Sequence, residues 1–187
     1  MSKIIIGFTG PIASGKDASK KYLEEKYQGK SFRFSTVMRE LLTRLSLEIN
    51  RKNLSDISRC LRETFGEDLF AKTMAKDVMA DPAEMIIVDG IRRLADIAYL
   101  KDVSGFHLIS IEADIKIRYE RLTKRGENAD DGKKTFEGFL ADHQLETELS
   151  IPAVMAEADF QINNDGDFDN LYRQIDEIIS TIKKSAN

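Results

Sequence analysis

The side chains whose types and surroundings suit them to phosphate chemistry are Lys16, Asp17, Asp89, Arg39, Arg92, Arg121 and Arg125. Lys16 ends the run Gly10-Pro11-Ile12-Ala13-Ser14-Gly15-Lys16, which follows the apolar stretch Ile4-Ile5-Ile6-Gly7-Phe8. A buried strand, a glycine-bounded loop and a helix pattern with Tyr22, Leu23 and Tyr27 on one side are the setting a P-loop requires. Gly10 and Gly15 let the chain curl with its N–H groups inward, and the helix presents its positive end. Lys16 then acts as a point charge on the β- and γ-phosphates, and Ser14 adds a hydroxyl donor. The nucleotide-holding set is Gly10, Ile12, Ala13, Ser14, Gly15, Lys16, Asp17 and Ala18. A glycine-rich turn ahead of an ordinary helix is the plainer alternative; the correct strand and helix on either side argue for phosphate.

Two carboxylates are candidates for holding Mg²⁺. The position after a P-loop lysine usually carries a hydroxyl that ligates the metal, and here it is Asp17. Its carboxylate either binds Mg²⁺ directly or through water, or serves as a first-turn acid favoured by the helix dipole. Asp89 ends the continuous apolar run Met85 to Val88 and precedes Gly90-Ile91-Arg92-Arg93. At the carboxyl end of a buried parallel strand it would face the P-loop and hold waters of Mg²⁺, with Arg92 reaching an anion. The alternative for Asp89 is a cap on the next helix, which packs Leu94, Ile97 and Leu100.

The elements that must position these groups read as alternating strands and helices, hence an α/β fold with a mostly parallel five-stranded sheet and helices on both faces. Ser31 to Ser35 is a short strand, and Thr36 opens a helix with Val37, Met38, Leu41, Leu42 and Leu45 on one face. Arg39 lies off that stripe, either in the cleft at the carboxyl edge of the sheet or on a solvated surface. From Asn53 to Ala80 two helices split at Gly66 carry the stripes Leu54, Ile57, Leu61, Phe65 and Phe70, Met74, Val78. Together with the Thr36 helix they make a helical insert of about 36–80 that suits covering a second substrate. Arg59 and Arg62 read as surface residues, and Cys60, the sole cysteine, as core packing.

His107 to Ile111 is the next strand, and Ile115 to Arg125 the next helix. Arg118, Arg121 and Arg125 share one helical face, which either closes over a triphosphate or is merely solvated. Gly126 to Lys134 is polar with two glycines, as a lid hinge would be, and the lid spans about 121–135. Asp142 and Glu146, one turn apart, are candidate partners for the lid arginines. Neither His107 nor His143 is given a catalytic role. A short helix from Ile151 to Ala156, a last strand from Asp159 to Asn163 and a final helix capped by Asp167 complete the chain.

A length of 187 residues, 42% of them hydrophobic, fits a single domain over 1–187 with a full core. The net charge of -4, with both signs interspersed, offers no basic block for a nucleic-acid polymer. No apolar run reaches transmembrane length and Ile4 to Phe8 is too short for a signal peptide, so no membrane partner is expected. A lone cysteine suits the reducing cytoplasm.

With these residues in hand the chain resembles the P-loop small-molecule kinases of the nucleoside-monophosphate kinase and dephospho-coenzyme A kinase group. The resemblance rests on Gly10 to Asp17, Phe34-Ser35-Thr36-Val37-Met38-Arg39-Glu40, Asp89-Gly90-Ile91-Arg92, the Arg118/Arg121/Arg125 helix, and Thr135 to Asp142. It implies a P-loop three-layer sandwich using ATP and Mg²⁺, with a small phosphorylated molecule as acceptor. By that similarity Lys16 contacts the transferred phosphoryl group, Arg39 and Arg92 the acceptor's phosphate, and Arg121 with Arg125 the lid face of ATP. The Lys16-Asp17 ending resembles deoxynucleoside-monophosphate kinases and a branch of adenylate-kinase-related proteins. The chain departs from both groups: only Ile91 separates Gly90 from Arg92, and Phe32-Arg33-Phe34-Ser35 lacks the aspartate that dephospho-coenzyme A kinases use as a base. The resemblance implies a nucleoside monophosphate acceptor, with dephospho-coenzyme A or a non-catalytic nucleotide sensor as alternatives.

Overall fold

The structure, a computed structural model, describes residues 3–125, 134–144 and 146–185, apart from the side chains of residues 51, 125, 146 and 147. β1 (Ile4–Thr9), β2 (Lys30–Arg33), β3 (Met85–Asp89), β4 (Phe106–Glu112) and β5 (Phe160–Asn163) form one sheet in the order β2-β3-β1-β4-β5. Every pairing is parallel, with Gly7 opposite both Val88 and Leu108. Parallel strands share one carboxyl edge, so the loop after β1, Asp89 at the end of β3 and Glu112 at the end of β4 all arrive on the same rim.

Alternation along β1 divides the core. Ile4, Ile6 and Phe8 face α1 (Lys16–Tyr27) and α10 (Phe168–Ser185), whose Leu23, Leu171, Ile175, Ile179 and Ile182 are buried there. Ile5 points the other way, into a cluster with Phe34, Met38, Phe70, Met74, Val78 and Ile91. That second layer comprises α2 (Ser35–Arg44), α3 (Arg51–Phe65), α4 (Leu69–Ala80) and α5 (Leu94–Ile97). The chain between β4 and β5 forms α6 (Ile115–Arg125), α7 (Phe136–Asp142), α8 (Glu146–Leu149) and α9 (Ile151–Met155). The result is the expected α/β three-layer sandwich. Among the described residues no helix is long and apolar enough to cross a membrane.

Several local expectations change in α3. Its stripe of Leu54, Ile57 and Leu61 is only partly buried, Phe65 is 63% exposed, and Cys60 lies on the surface instead of in the core. Arg62, read from the sequence as a surface residue, is buried. Its Nη2 donates to Asp96 Oδ1 at 3.1 Å, and its guanidinium lies 4.9 Å from the centre of the Phe70 ring. The ion pair and the aromatic face offset the cost of removing this charge from water.

Candidate active site at the carboxyl edge of the sheet

The loop from Gly10 to Gly15 turns as its glycines require. Gly10 has φ 142° and Gly15 φ 114°, and Ala13 between them is also left-handed at φ 59°. A β-carbon on Gly10 would lie 2.1 Å from the Ile111 carbonyl oxygen, and one on Gly15 would lie 2.2 Å from Asn164 Nδ2. The Ile111 oxygen belongs to the backbone of a central strand and has nowhere to move. Gly10→Ala is therefore expected to destabilise the fold by roughly 2–4 kcal/mol, read as a lowered midpoint of thermal unfolding. Asn164 is buried after β5, and its Nδ2 donates to Ser14 O at 2.7 Å, tying the far side of the loop to the last strand.

Two polar groups inside the loop stand out. Ser14 Oγ is buried with no hydrogen-bond partner among the described residues, a cost of about 1–3 kcal/mol that an anionic oxygen bound in the loop would relieve. Lys16 turns its Nζ back to donate to Gly10 O at 2.6 Å and Pro11 O at 2.8 Å. Burial, with the Arg92 guanidinium nearby, pushes this ammonium down to about 8; Glu148, Asp17 and Asp89 pull it the other way. In the unfolded chain it titrates near 10.5, so between pH 8 and 10.5 the folded state holds fewer protons and stability rises with pH across that window. A polyphosphate seated beside Lys16 would restore its proton. Titrating tripolyphosphate above pH 8 in buffers of different ionisation enthalpy is expected to reveal proton uptake by wild type that is absent in Lys16→Ala.

The proposed metal carboxylates flank a single lysine. Lys20 Nζ lies 3.3 Å from Asp89 Oδ2 and 3.8 Å from Asp17 Oδ1, and Arg33 Nε donates to the same Asp89 oxygen at 3.0 Å. Burial raises the Asp89 carboxyl, but the charges of Lys20 and Arg33 outweigh that and leave it below the ordinary range, fully ionised at neutral pH. Asp89 does not cap the following helix: Asp96 Oδ2 does so, accepting from Arg92 N and Arg93 N. Among the described residues no group of three or more His, Cys, Asp or Glu side chains gathers into a metal cage. The two carboxylates, both beside Lys20 Nζ, are hard oxygen donors of the kind Mg²⁺ accepts alongside waters and substrate phosphates.

Arg92 is held at three points. Its N–H goes to Asp96, its carbonyl accepts from Ser150 Oγ at 2.7 Å, and its Nη1 donates to Glu148 Oε1 at 2.6 Å. The Glu148 side chain is only 6% exposed, and its second oxygen accepts from Ile12 N at 3.2 Å, so one carboxylate links Arg92 to the P-loop. Arg118, also buried, fixes the opposite side of the Ile12 residue by donating Nη1 to Ile12 O at 3.2 Å, and its Nε donates to Ala113 O. The same Nη1 lies 2.7 Å from His143 Nε2; arginine can only donate, so Nε2 accepts and Nδ1–H donates to Phe139 O at 2.8 Å.

The other sequence candidates are distributed around this centre. Arg121 donates to Asn164 O at 2.8 Å and Gly166 O at 2.9 Å, anchored on the loop after β5. Arg39, with Thr36, Glu40, Thr43 and Arg44, lines an open depression of about 660 Å³ on α2. Phe34 N–H donates to Asp89 O at 3.3 Å and ties the start of α2 to the end of β3. Asp142 pairs with Lys134. The side chains of Arg125 and Glu146, and the expected lid hinge over 126–134 apart from Lys134, lie outside the described residues. Sequence reasoning missed Glu148, Asp96, Ser150 and Asn164. Glu148, Ser150 and Asn164 acquire their roles from partners distant in the chain, whereas Asp96 caps Arg92 N and Arg93 N locally and meets the distant Arg62.

A family model described as an AAA domain (AAA_18) matches residues 6–145, and the chain belongs to that family. Its fold is that of the P-loop small-molecule kinases. It is similar in structure to a shikimate kinase from Bacteroides thetaiotaomicron, with a TM-score of 0.61 at 14% identity, covering 96% of this chain and 98% of that one. It is likewise similar to a dephospho-CoA kinase from Campylobacter jejuni, with a TM-score of 0.59 at 18% identity and 98% of each chain covered. In sequence it is 29% identical over 185 residues to UPF0200 protein LS215_1277 of Saccharolobus islandicus, covering 97% of this chain and 95% of that protein.

Proposed function

We propose that the protein transfers the γ-phosphoryl group of ATP, with Mg²⁺, to a small phosphorylated acceptor, a nucleoside or deoxynucleoside monophosphate. The observation that carries this reading is the pairing of two anion sites: a P-loop with its lysine turned inward, and an arginine at its mouth locked by Asp96, Ser150 and Glu148. Phosphoryl transfer needs little covalent help from the protein. It needs positioning of donor and acceptor and charge neutralisation, which preorganised amides and cations supply.

In this mechanism the amides of the loop and the Ser14 hydroxyl bind the donor phosphates, and Lys16 neutralises charge on the transferred group. Arg92 and Arg39 orient the acceptor's phosphate, while Arg121 and Arg125 serve the donor side. Asp17 and Asp89 would hold Mg²⁺ through its waters, and the metal, when bound, supplies further neutralisation of the donor phosphates. The chemistry of Asp89 favours a phosphate acceptor over a hydroxyl one. Ion-paired with Lys20 and Arg33 and held below the ordinary carboxylate range, it is a poor proton acceptor, and a monophosphate is already a nucleophile without one.

Coupled measurement of ADP release with a panel of nucleoside monophosphates, dephospho-coenzyme A and no acceptor tests the proposal. Turnover that depends on a monophosphate is expected. Turnover with dephospho-coenzyme A alone would move the reading to a hydroxyl acceptor, and hydrolysis indifferent to any acceptor, or none at all, would sink the kinase assignment.

A further inference from the structure

We propose that the Glu148 carboxylate is a built-in substitute for phosphate, seated between the Ile12 amide and the Arg92 guanidinium until an incoming polyphosphate displaces it. This rests on the phosphate-site reading above and extends it to how the site is kept before substrate arrives. Three cationic groups surround the carboxylate: Arg92 is bonded to it, and Lys16 and Arg118 both feel its charge. Other carboxylates also act on these cations, Asp17 and Asp89 on Lys16 and Glu112 and Asp114 on Arg118, but Glu148 is bonded both to Arg92 and to the loop, and a phosphate chain in its place would bring more negative charge to the same donors. The two Glu148 oxygens accept from the kinds of donor that bind phosphate in P-loop proteins, a main-chain amide of the loop and an arginine fork.

The local fold makes such an occupant removable. α8 is one turn long, and the residue after Glu148, Leu149, is 59% exposed, so among its described side chains no apolar one is buried to hold the turn down. The next helix is anchored independently by Ile151 and Val154, 3% and 0% exposed. Glu148 can therefore swing out while α9 stays packed. The loop does not collapse when it leaves, because Arg118 still holds Ile12 O and Asn164 still holds Ser14 O. A role for Glu148 as general base fits less well, since both of its oxygens already accept from donors within the protein.

Hydrogen–deuterium exchange of the wild-type chain with and without inorganic tripolyphosphate tests the displacement, alongside calorimetric affinities for wild type and Glu148→Gln. The expected result is protection of residues 10–18 together with faster exchange over 146–150 on binding. Glu148→Gln is expected to bind tripolyphosphate about tenfold tighter, because the closed form no longer competes. Tighter binding by the variant without faster exchange over 146–150 in the wild type would mark Glu148 as a fixed neighbouring charge and overturn the proposal. Unchanged or weaker binding by the variant would do the same. Should Glu148→Gln not fold, the wild-type exchange alone decides. Lys16→Ala is the control for the underlying site: tripolyphosphate binding indifferent to Lys16, or absent from the wild type, would overturn the phosphate-site reading itself and this inference with it.

Discussion

Lys16→Ala is expected to lower kcat/KM for phosphoryl transfer by about a hundred- to a thousandfold, the range seen when one preorganised group that stabilises transition-state charge is removed. The expectation follows from the position of the ammonium. It is buried inside the loop, held by Gly10 O and Pro11 O, and exchanging those neutral carbonyls for a charged phosphoryl oxygen is favourable in a site of low dielectric. The loop itself should persist, because its shape depends on Gly10, Gly15 and the ties from Asn164, Arg118 and Glu148. Circular dichroism and the thermal midpoint of the variant are therefore expected to stay near those of the wild type. Transfer retained within tenfold would show that the phosphoryl group is not handled at this loop.

Asp96→Ala should produce the largest loss of stability of any single side-chain removal near the site. The carboxylate accepts from Arg62 Nη2 at 3.1 Å and from Arg92 N and Arg93 N at 3.0 Å each, and it is 3% exposed. Its removal leaves a buried guanidinium with only the longer, exposed ion pair to Glu67 at 3.9 Å, and two amides without their acceptor, which costs about 3–5 kcal/mol. At roughly 2–4 °C per kcal/mol for a chain of this size, the melting midpoint should fall by about 6–20 °C. Asp96→Asn keeps part of the hydrogen bonding and should fall less. Because the same carboxylate fixes the Arg92 backbone, acceptor KM is expected to rise in Asp96→Asn while the KM for ATP stays nearly unchanged. Equal shifts in both would separate Asp96 from any acceptor-side role.

Arg62 and Asp96 also mark the limit of what periodicity reveals. A 3.6-residue pattern shows which side chains of α3 share a face, and Leu54, Ile57 and Leu61 do pack together toward the core. It does not show that Asp96, from a different element, will meet Arg62 and draw it inward, or that Cys60 will be left at the surface. The arginines of α6 make the same point. Three of them share a helical face in the sequence, yet Arg118 is buried against the Ile12 carbonyl whereas Arg121 caps the loop after β5. Charge and spacing alone are silent on that division of labour.

What the linear chain specified was the α/β fold class, the strand from Ile4 to Thr9 and the curled loop that ends at Lys16. These depend on neighbours: alternating faces, glycines that tolerate positive φ, and amides within a few residues of one another. The occupant of the loop's mouth was decided only by tertiary structure. Glu148 lies 136 positions from Ile12 and 56 from Arg92, and only the folded path between β4 and β5 carries its carboxylate to both. Ionic contacts depend on distance through space, and for this set of residues that distance is created by the order of strands in the sheet.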